Sequence, residues 1–261
     1  MTSENIISVF TFGDVPNIFG AEGETLWGGD QAIVHVDCAD GRCPSTTEGS
    51  TNIAIFTAMS RIKPTELFSD YPTASFPFLV YVDHSMLVEK VNDLQKSVSD
   101  KRIVWTINTV TAFDWINLTD AFVEQIKCFA GNLLSRKDHL RVKIALQEAV
   151  SNAIIHGNLG ISSITAPPYD GDIEAFYADI FNYIGHPRAG HRNIELSVEM
   201  HEKHLQITVR DDGDSITLPE MRPKGSTTFS GRGIHLMRVN SDSFSIRQNP
   251  SRVLLGFNCV S

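Results

Sequence analysis

Glu148-Ala-Val-Ser-Asn152-Ala-Ile-Ile-His156-Gly157-Asn158 is the stretch on which the reading of this chain turns. Glu148, Asn152 and His156 recur at i, i+4 and i+8, a spacing that places all three on one face of a helix. A carboxylate and a carboxamide side by side suit a core poorly. They suit a Mg2+–phosphate site, because an amide oxygen is a hard ligand and the ion keeps waters and phosphate oxygens in its other positions. The carboxylate one turn away can orient or deprotonate a hydroxyl. The plain alternative is a solvated polar helix face. Gly157 is well placed to stop the helix.

Two later stretches extend the pattern. Val209-Arg210-Asp211-Asp212-Gly213-Asp214-Ser215-Ile216 puts a carboxylate at the end of a strand, with a glycine two positions on. Such a carboxylate can accept from an exocyclic amine such as adenine N6, and the glycine lets a ring lie close to backbone. The commoner meaning of the string is an Asp-Gly turn. Ser230-Gly231-Arg232-Gly233 then opens a run, Ile234-His235-Leu236-Met237-Arg238-Val239, that reads as a glycine-lined helix start. Free N–H groups and the helix dipole favour phosphate there. Arg222-Pro223-Lys224-Gly225-Ser226-Thr227-Thr228-Phe229, just upstream, is polar, as a lid would be. Each stretch has a bland reading alone; in this order they suggest one nucleotide pocket.

The surroundings read as an α+β sandwich. Val104-Trp105-Thr106-Ile107 is a strand. Leu118, Ala121, Phe122, Ile126, Phe129 and Leu133 make the stripe of a helix over 117–135, capped by Asn117 or Thr119. Leu140, Val142, Ile144, Ala145, Ala149 and Ala153 mark a second helix over 138–156, and 169–185 a third. Strands follow at 193–199 and 204–210, a loop at 211–230, a helix at 231–240, and strands near 242–247 and 252–259. The expected module is a mixed, mostly antiparallel sheet with helices on one face.

Residues 1–100 differ. Ile6–Phe10, Ala32–Val36, Asn52–Phe56 and Phe78–Val82 are continuous apolar runs suited to parallel strands buried on both faces. Leu87, Val88, Val91 and Leu94 recur at helical spacing. These residues hold 5 Lys+Arg against 14 Asp+Glu, whereas the remainder balances 17 against 17, so the whole net charge of −9 sits in the first hundred. That step, with the change of pattern, divides the chain into an α/β module at 1–100 and a second module at 101–261. The acidic balance speaks against direct nucleic-acid binding. No apolar run is long enough for a bilayer, and Met1-Thr2-Ser3-Glu4-Asn5 lacks secretory character, so a cytoplasmic protein is expected. Four cysteines are too few and scattered for a disulfide framework, with Cys128 and Cys259 expected in the core.

The three motifs together resemble those of the GHKL (Bergerat-fold) ATPases, and within them the small serine/threonine kinases that act as anti-sigma factors in bacterial partner switching. Glu148 and Asn152 match the N box, Asp211-Asp212-Gly213 the adenine-binding box, and Gly231-Arg232-Gly233 the second glycine box. The resemblance covers roughly residues 102–261. It implies ATP and Mg2+ as cofactors and phosphotransfer as the activity. Asn152 would hold Mg2+, Glu148 would be the base acting on a partner's Ser or Thr hydroxyl, and Asp211 would bind adenine. His156, Gly213, Ser215, Thr228, Gly231, Arg232 and Gly233 would line the nucleotide. The implied partner is a protein antagonist carrying that hydroxyl, with a sigma factor as another; a homodimer is left open, and no membrane is involved. His156-Gly157-Asn158-Leu159-Gly160-Ile161 followed by an inserted helix is similar to ATPase-like modules attached to response regulators, which implies a receiver-like first module. That module would be degenerate, since its first strand runs into Thr11-Phe12-Gly13-Asp14 and its third into Thr57-Ala58-Met59-Ser60 with no phosphorylatable Asp. Ser215 stands where many relatives have glycine, and residues 162–192 are an insertion. The competing expectation is a non-catalytic interaction module that kept the fold and lost ATP.

Overall fold

The structure, a computed structural model, describes residues 6–12, 32–37, 51–57, 78–82, 90, 102–213, 232–248 and 251–259. Strands β1 (Ile6–Phe12), β2 (Ala32–Asp37), β3 (Thr51–Thr57) and β4 (Phe78–Val82) fall on the four apolar runs of the N-terminal part. They pair in parallel, β2 to β1, β1 to β3 and β3 to β4. Of the helix expected over Leu87 to Leu94, only Lys90 lies within the described residues, and it is helical.

β5 (Arg102–Asn108) pairs with β4 in parallel, Phe78 opposite Val104 and Tyr81 opposite Ile107. The first five strands therefore take the order 2-1-3-4-5, one of the two common orders of doubly wound sheets. The other side of β5 pairs antiparallel with β6 (Asn193–His201). From there β7 (His204–Asp211), β9 (Ser251–Asn258) and β8 (Ser243–Gln248) continue antiparallel, giving one nine-stranded sheet of order β2-β1-β3-β4-β5-β6-β7-β9-β8. The expected division near residue 100 thus falls between two paired strands. β5 is a central strand, and Ile103 to Asn108 are all buried, the pattern of a strand covered on both faces.

The antiparallel part alternates instead. Leu205, Ile207, Val209 and Asp211 are buried along β7, whereas Gln206, Thr208 and Arg210 are more open. With a two-residue period, these sets lie on opposite faces of the sheet. Among the described residues, helices α1 (Thr109–Asp114), α2 (Leu118–Ala130), α3 (Arg136–Asn152), α4 (Ile173–Ile184), α5 (Pro187–His191) and α6 (Arg232–Asn240) join the sheet in a mixed α/β fold. α1 is capped by Asn108, whose side chain accepts from Thr111 N at 2.8 Å. Asn117 occupies the cap position of α2 but makes no capping bond. α3 has a full capping box, with Ser135 Oγ accepting from Asp138 N and the Asp138 carboxylate from Ser135 N.

Among the described residues the largest fully buried side chains are Trp105, Phe122, Phe257 and Leu79. The Trp105 ring stacks on Trp115 at 5.7 Å and meets Phe122 edge-on at 5.0 Å, tying β5 to α2. Burying each such side chain stabilises by about 1.5–3 kcal/mol. Arg141 braces α3 against the far end of the sheet. Its guanidinium bonds Asp138 at 3.1 Å and Asp242 at 2.5 Å and lies 5.9 Å from the Phe257 ring centre. Cys259 is buried as expected, but Cys128 is exposed, because it falls off the apolar stripe of α2. Among the described residues no helix is long and apolar enough to cross a membrane.

Candidate functional site

α3 does not stop at Gly157. Beyond Asn152 it widens into a π-helical turn, Ala153–Asn158, closed by Leu159 N to Ile154 O and Ile161 N to Ile155 O, both 2.9 Å. The π turn changes the angular step per residue, so the i+8 spacing no longer assigns His156 to the face of Glu148 and Asn152. His156 Nδ1 instead lies 2.6 Å from Ile161 O, and since a carbonyl only accepts, that nitrogen carries the proton. The left-handed residue that reverses the chain is Gly160, at φ 68°. Gly157 is glycine for a different reason. A Cβ placed on it would lie 2.5 Å from both Cγ and Oδ1 of Asp211.

Asp211 is the last residue of β7 and shares the buried face with Leu205, Ile207 and Val209, so the alternation of the strand aims its carboxylate at the π turn. It is 4% exposed. Ser251 Oγ donates to its Oδ2 at 2.7 Å and Gly213 N to its Oδ1 at 3.0 Å. Burial pushes the Asp211 carboxyl above its ordinary value, with those two bonds pulling the other way. Gly213 approaches even more closely: a Cβ there would lie 2.1 Å from the carbonyl oxygen of Gly157. Gly157, Asp211 and Gly213 therefore interlock.

The second gathering lies earlier on α3. A Cβ on Gly233, in the first turn of α6, would lie 2.7 Å from Glu148 Oε2 and 3.6 Å from Asn152 Nδ2. Glu148 and Asn152 are half-buried, and among the described residues neither side chain has a hydrogen-bond partner. Arg232 is exposed at the first residue of α6. From Glu148 to Gly157 the helix runs about 13 Å, at about 1.5 Å per residue. Along that length Glu148, Asn152, Gly157, Asp211, Gly213 and Gly233 come together. Ser215, Thr228 and Gly231 lie outside the described residues.

A buried polar network supports the Asp211 end, and its members went unread in the sequence as site residues. Asn158 Nδ2 donates to Thr109 Oγ1 at 2.8 Å and to Asn193 O at 3.0 Å, and its Oδ1 accepts from Asp212 N at 2.9 Å. Asp212 Oδ2 accepts from Asn193 N at 2.9 Å and Asn193 Nδ2 at 3.1 Å. Arg192 Nη1 donates to Asn158 O at 2.5 Å, while Thr109 N and Oγ1 donate to Arg192 O at 2.8 and 2.7 Å. One asparagine thereby joins α1, the start of β6 and the turn after β7. The Asp-Gly string could have hinted at Asp212, but nothing local pointed to Thr109 or Arg192.

Among the described residues no group of three or more His, Cys, Asp or Glu gathers as a metal cage. Mg2+ carried with nucleotide phosphates needs only one or two protein oxygens, and the open Asn152 amide beside Glu148 fits that demand. No protein-family model matches the chain, and no curated protein matches it.

Proposed function

We propose that this protein binds ATP with Mg2+ in a Bergerat-type site along α3 and acts as a serine/threonine kinase of the anti-sigma type, phosphorylating a protein antagonist. The observation that carries the reading is the interlocking of Gly157, Asp211 and Gly213 at one end of the helix, with Gly233 seated on Glu148 and Asn152 at the other. Asp211 keeps lone pairs beyond those used by Ser251 and Gly213, and these accept the exocyclic amine of adenine. The dipole of α6 and Arg232 face the phosphates. Asn152 offers its amide oxygen to Mg2+, which when bound neutralises charge on the phosphate oxygens. Glu148 takes the proton from the Ser or Thr hydroxyl of the partner as that oxygen bonds to the γ-phosphorus and ADP leaves. A sigma factor is the other partner of such a switch.

We read the parallel part as receiver-like. Its strand order is compatible with that fold, and β3 ends at Thr57 rather than at an Asp, so regulation there would not run through aspartyl phosphate. Calorimetry with Mg2+-ATP and ADP tests the site. Glu148→Ala is expected to keep nucleotide affinity while losing about 100-fold or more in phosphotransfer to a Ser-bearing antagonist. Absence of binding at millimolar nucleotide would overturn the kinase and leave a non-catalytic interaction module.

A further inference from the structure

The face of the sheet opposite the candidate nucleotide site carries a second feature. Arg210 on β7 is in register with Arg252 on β9, and Arg252 with Arg247 on β8. Residues in register point to the same face, and their strand neighbours Val209, Val253 and Ile246 pack into the core, so the three arginines lie on the open side. Adjacent strands are about 4.8 Å apart, which sets three guanidinium stems in a row about 10 Å long. Like charges directly opposite one another destabilise a sheet. Among the described residues none of the three makes an ion pair or hydrogen bond, even though Glu195 stands next in the row across from Arg210. Arg252 Nε is moreover buried with no acceptor among the described residues. This self-repelling row, in a chain of net charge −9, calls for an anionic counterpart.

Among the described residues the row ends at the edge of the sheet. No strand among them pairs with the outer side of β8, so its backbone there can pair with another strand. Ser243, Ser245 and Arg247 are exposed on its open face, while Phe244 and Ile246 are half-buried against the core on the other. We propose that β8 accepts an extended protein segment that alternates acidic and apolar residues. It adds as a strand, with its carboxylates facing Arg247 and the arginine row and its apolar side chains beside Phe244 and Ile246. Guanidinium forks match carboxylates in two-point contacts. A carboxylate opposite Arg247 offsets the repulsion along the row. Short peptide strands supply such carboxylates in register together with N–H and C=O groups that pair with the edge of β8, whereas a phosphodiester backbone has no such ladder to offer. The inference is independent of the nucleotide reading, because the row lies on the opposite face from Asp211.

The probe is a dye-labelled decapeptide of alternating Glu and Val, followed by fluorescence anisotropy with the full chain. Binding is expected, and Arg247→Gln with Arg252→Gln is expected to weaken it by about tenfold. A Lys–Val decapeptide should not bind, and a Glu–Val peptide N-methylated at alternate residues should lose binding through the blocked ladder. Equal affinity of the wild type and the double variant, or of the Glu–Val and Lys–Val peptides, would overturn the proposal. So would tighter binding of a single-stranded oligonucleotide that the same substitutions abolish, since the row would then read phosphate. Should the double variant fail to fold, Arg247→Gln alone carries the same expectation, because Arg247 is the arginine next to the added strand. ATP calorimetry on the variants separates the two sites, because nucleotide affinity should be unchanged.

Discussion

Gly213→Ala tests the interlocked turn at its tightest point. The added Cβ would lie 2.1 Å from the carbonyl oxygen of Gly157 and 2.4 Å from its carbon. Both atoms are backbone, so no rotamer change relieves the clash. The π turn that holds Gly157 is fastened by Leu159 N to Ile154 O and Ile161 N to Ile155 O, and moving it by the required distance, about 1 Å, strains both bonds. Overpacking of this kind costs about 1–3 kcal/mol, and a backbone partner argues for the upper end. At about 2–4 °C per kcal/mol for a chain of this size, the melting temperature should fall by about 6–12 °C. Gly233→Ala is the counterpart. There the Cβ meets Glu148 Oε2 at 2.7 Å, the tip of a flexible side chain, and alanine in a helix gains up to about 1 kcal/mol over glycine. That variant should melt at or above the wild-type temperature while its Glu148 carboxylate is pushed aside. Gly160→Ala, with φ 68° and open space around it, should cost about 1–2 kcal/mol through backbone strain alone. Scanning calorimetry of the three variants checks the order. If Gly213→Ala melts with the wild type, or Gly233→Ala melts below it, the reasoning from close approach is wrong.

Asn158→Ala removes the amide that joins Thr109, Asn193 and Asp212, and should cost about 2–4 kcal/mol in urea unfolding, since several buried groups lose their partners at once. Arg141→Ala should cost about 1–2 kcal/mol, because the lost pairs are partly solvated and the lost packing on Phe257 adds to them. Acid stability follows from the same residues. The Ser135 hydroxyl and Arg141 hold Asp138 below the ordinary carboxylate value of 3.8, and at Asp242 the Asn258 N–H and Arg141 outweigh burial to do the same. Their contribution is present above 3.8 and is lost as pH falls through their lowered values, so circular dichroism should show unfolding beginning below about pH 4. Asp211 has the opposite sign. Its carboxyl is raised by burial, so its contribution to stability is fully present below 3.8 and is lost as pH rises through the raised value. On the proposed function, ATP affinity should therefore decline on acidification while the fold is still intact, and calorimetry over a pH series would reveal a wrong assignment if affinity and fold fell together.

The fold was legible where a period was strong. Four apolar runs of the N-terminal part became strands, and β6, β7, β8 and β9 came within a few residues of their expected limits. Short elements were hidden: α1 and α5 span six and five residues, too few to show a helical stripe. Leu140 was counted with the stripe of α3 but is 59% exposed, whereas Leu146 and Val150, left out of that stripe, are buried. The order of the sheet was not readable either. β5 looks like the opening strand of the second module, and only its parallel pairing with β4 reveals that it serves both parts of the sheet.

That Glu148, Asn152, Asp211, Gly213 and Gly233 lie near one another was legible in the sequence, but the place of His156 and the mechanics of the turn were not, and Gly157 shows why. As a letter after a helical run, glycine means a stop, because in most helices a left-handed residue ends the hydrogen-bond ladder. Here the ladder slips into a π turn before Gly157, and the left-handed residue is Gly160, three positions later. A π turn has no local sequence pattern; it is selected by what packs on it. What packs on it is Asp211, whose carboxylate fills the place a Cβ at Gly157 would take. Asn158, one position further on, is then carried inward, where its amide bonds three segments at once. Exchanging Gly157 for alanine would thus press directly on a buried carboxylate, Cβ against Oδ1 at 2.5 Å. The small residue is required by a side chain that lies 54 positions away, so no window along the chain could have given its reason.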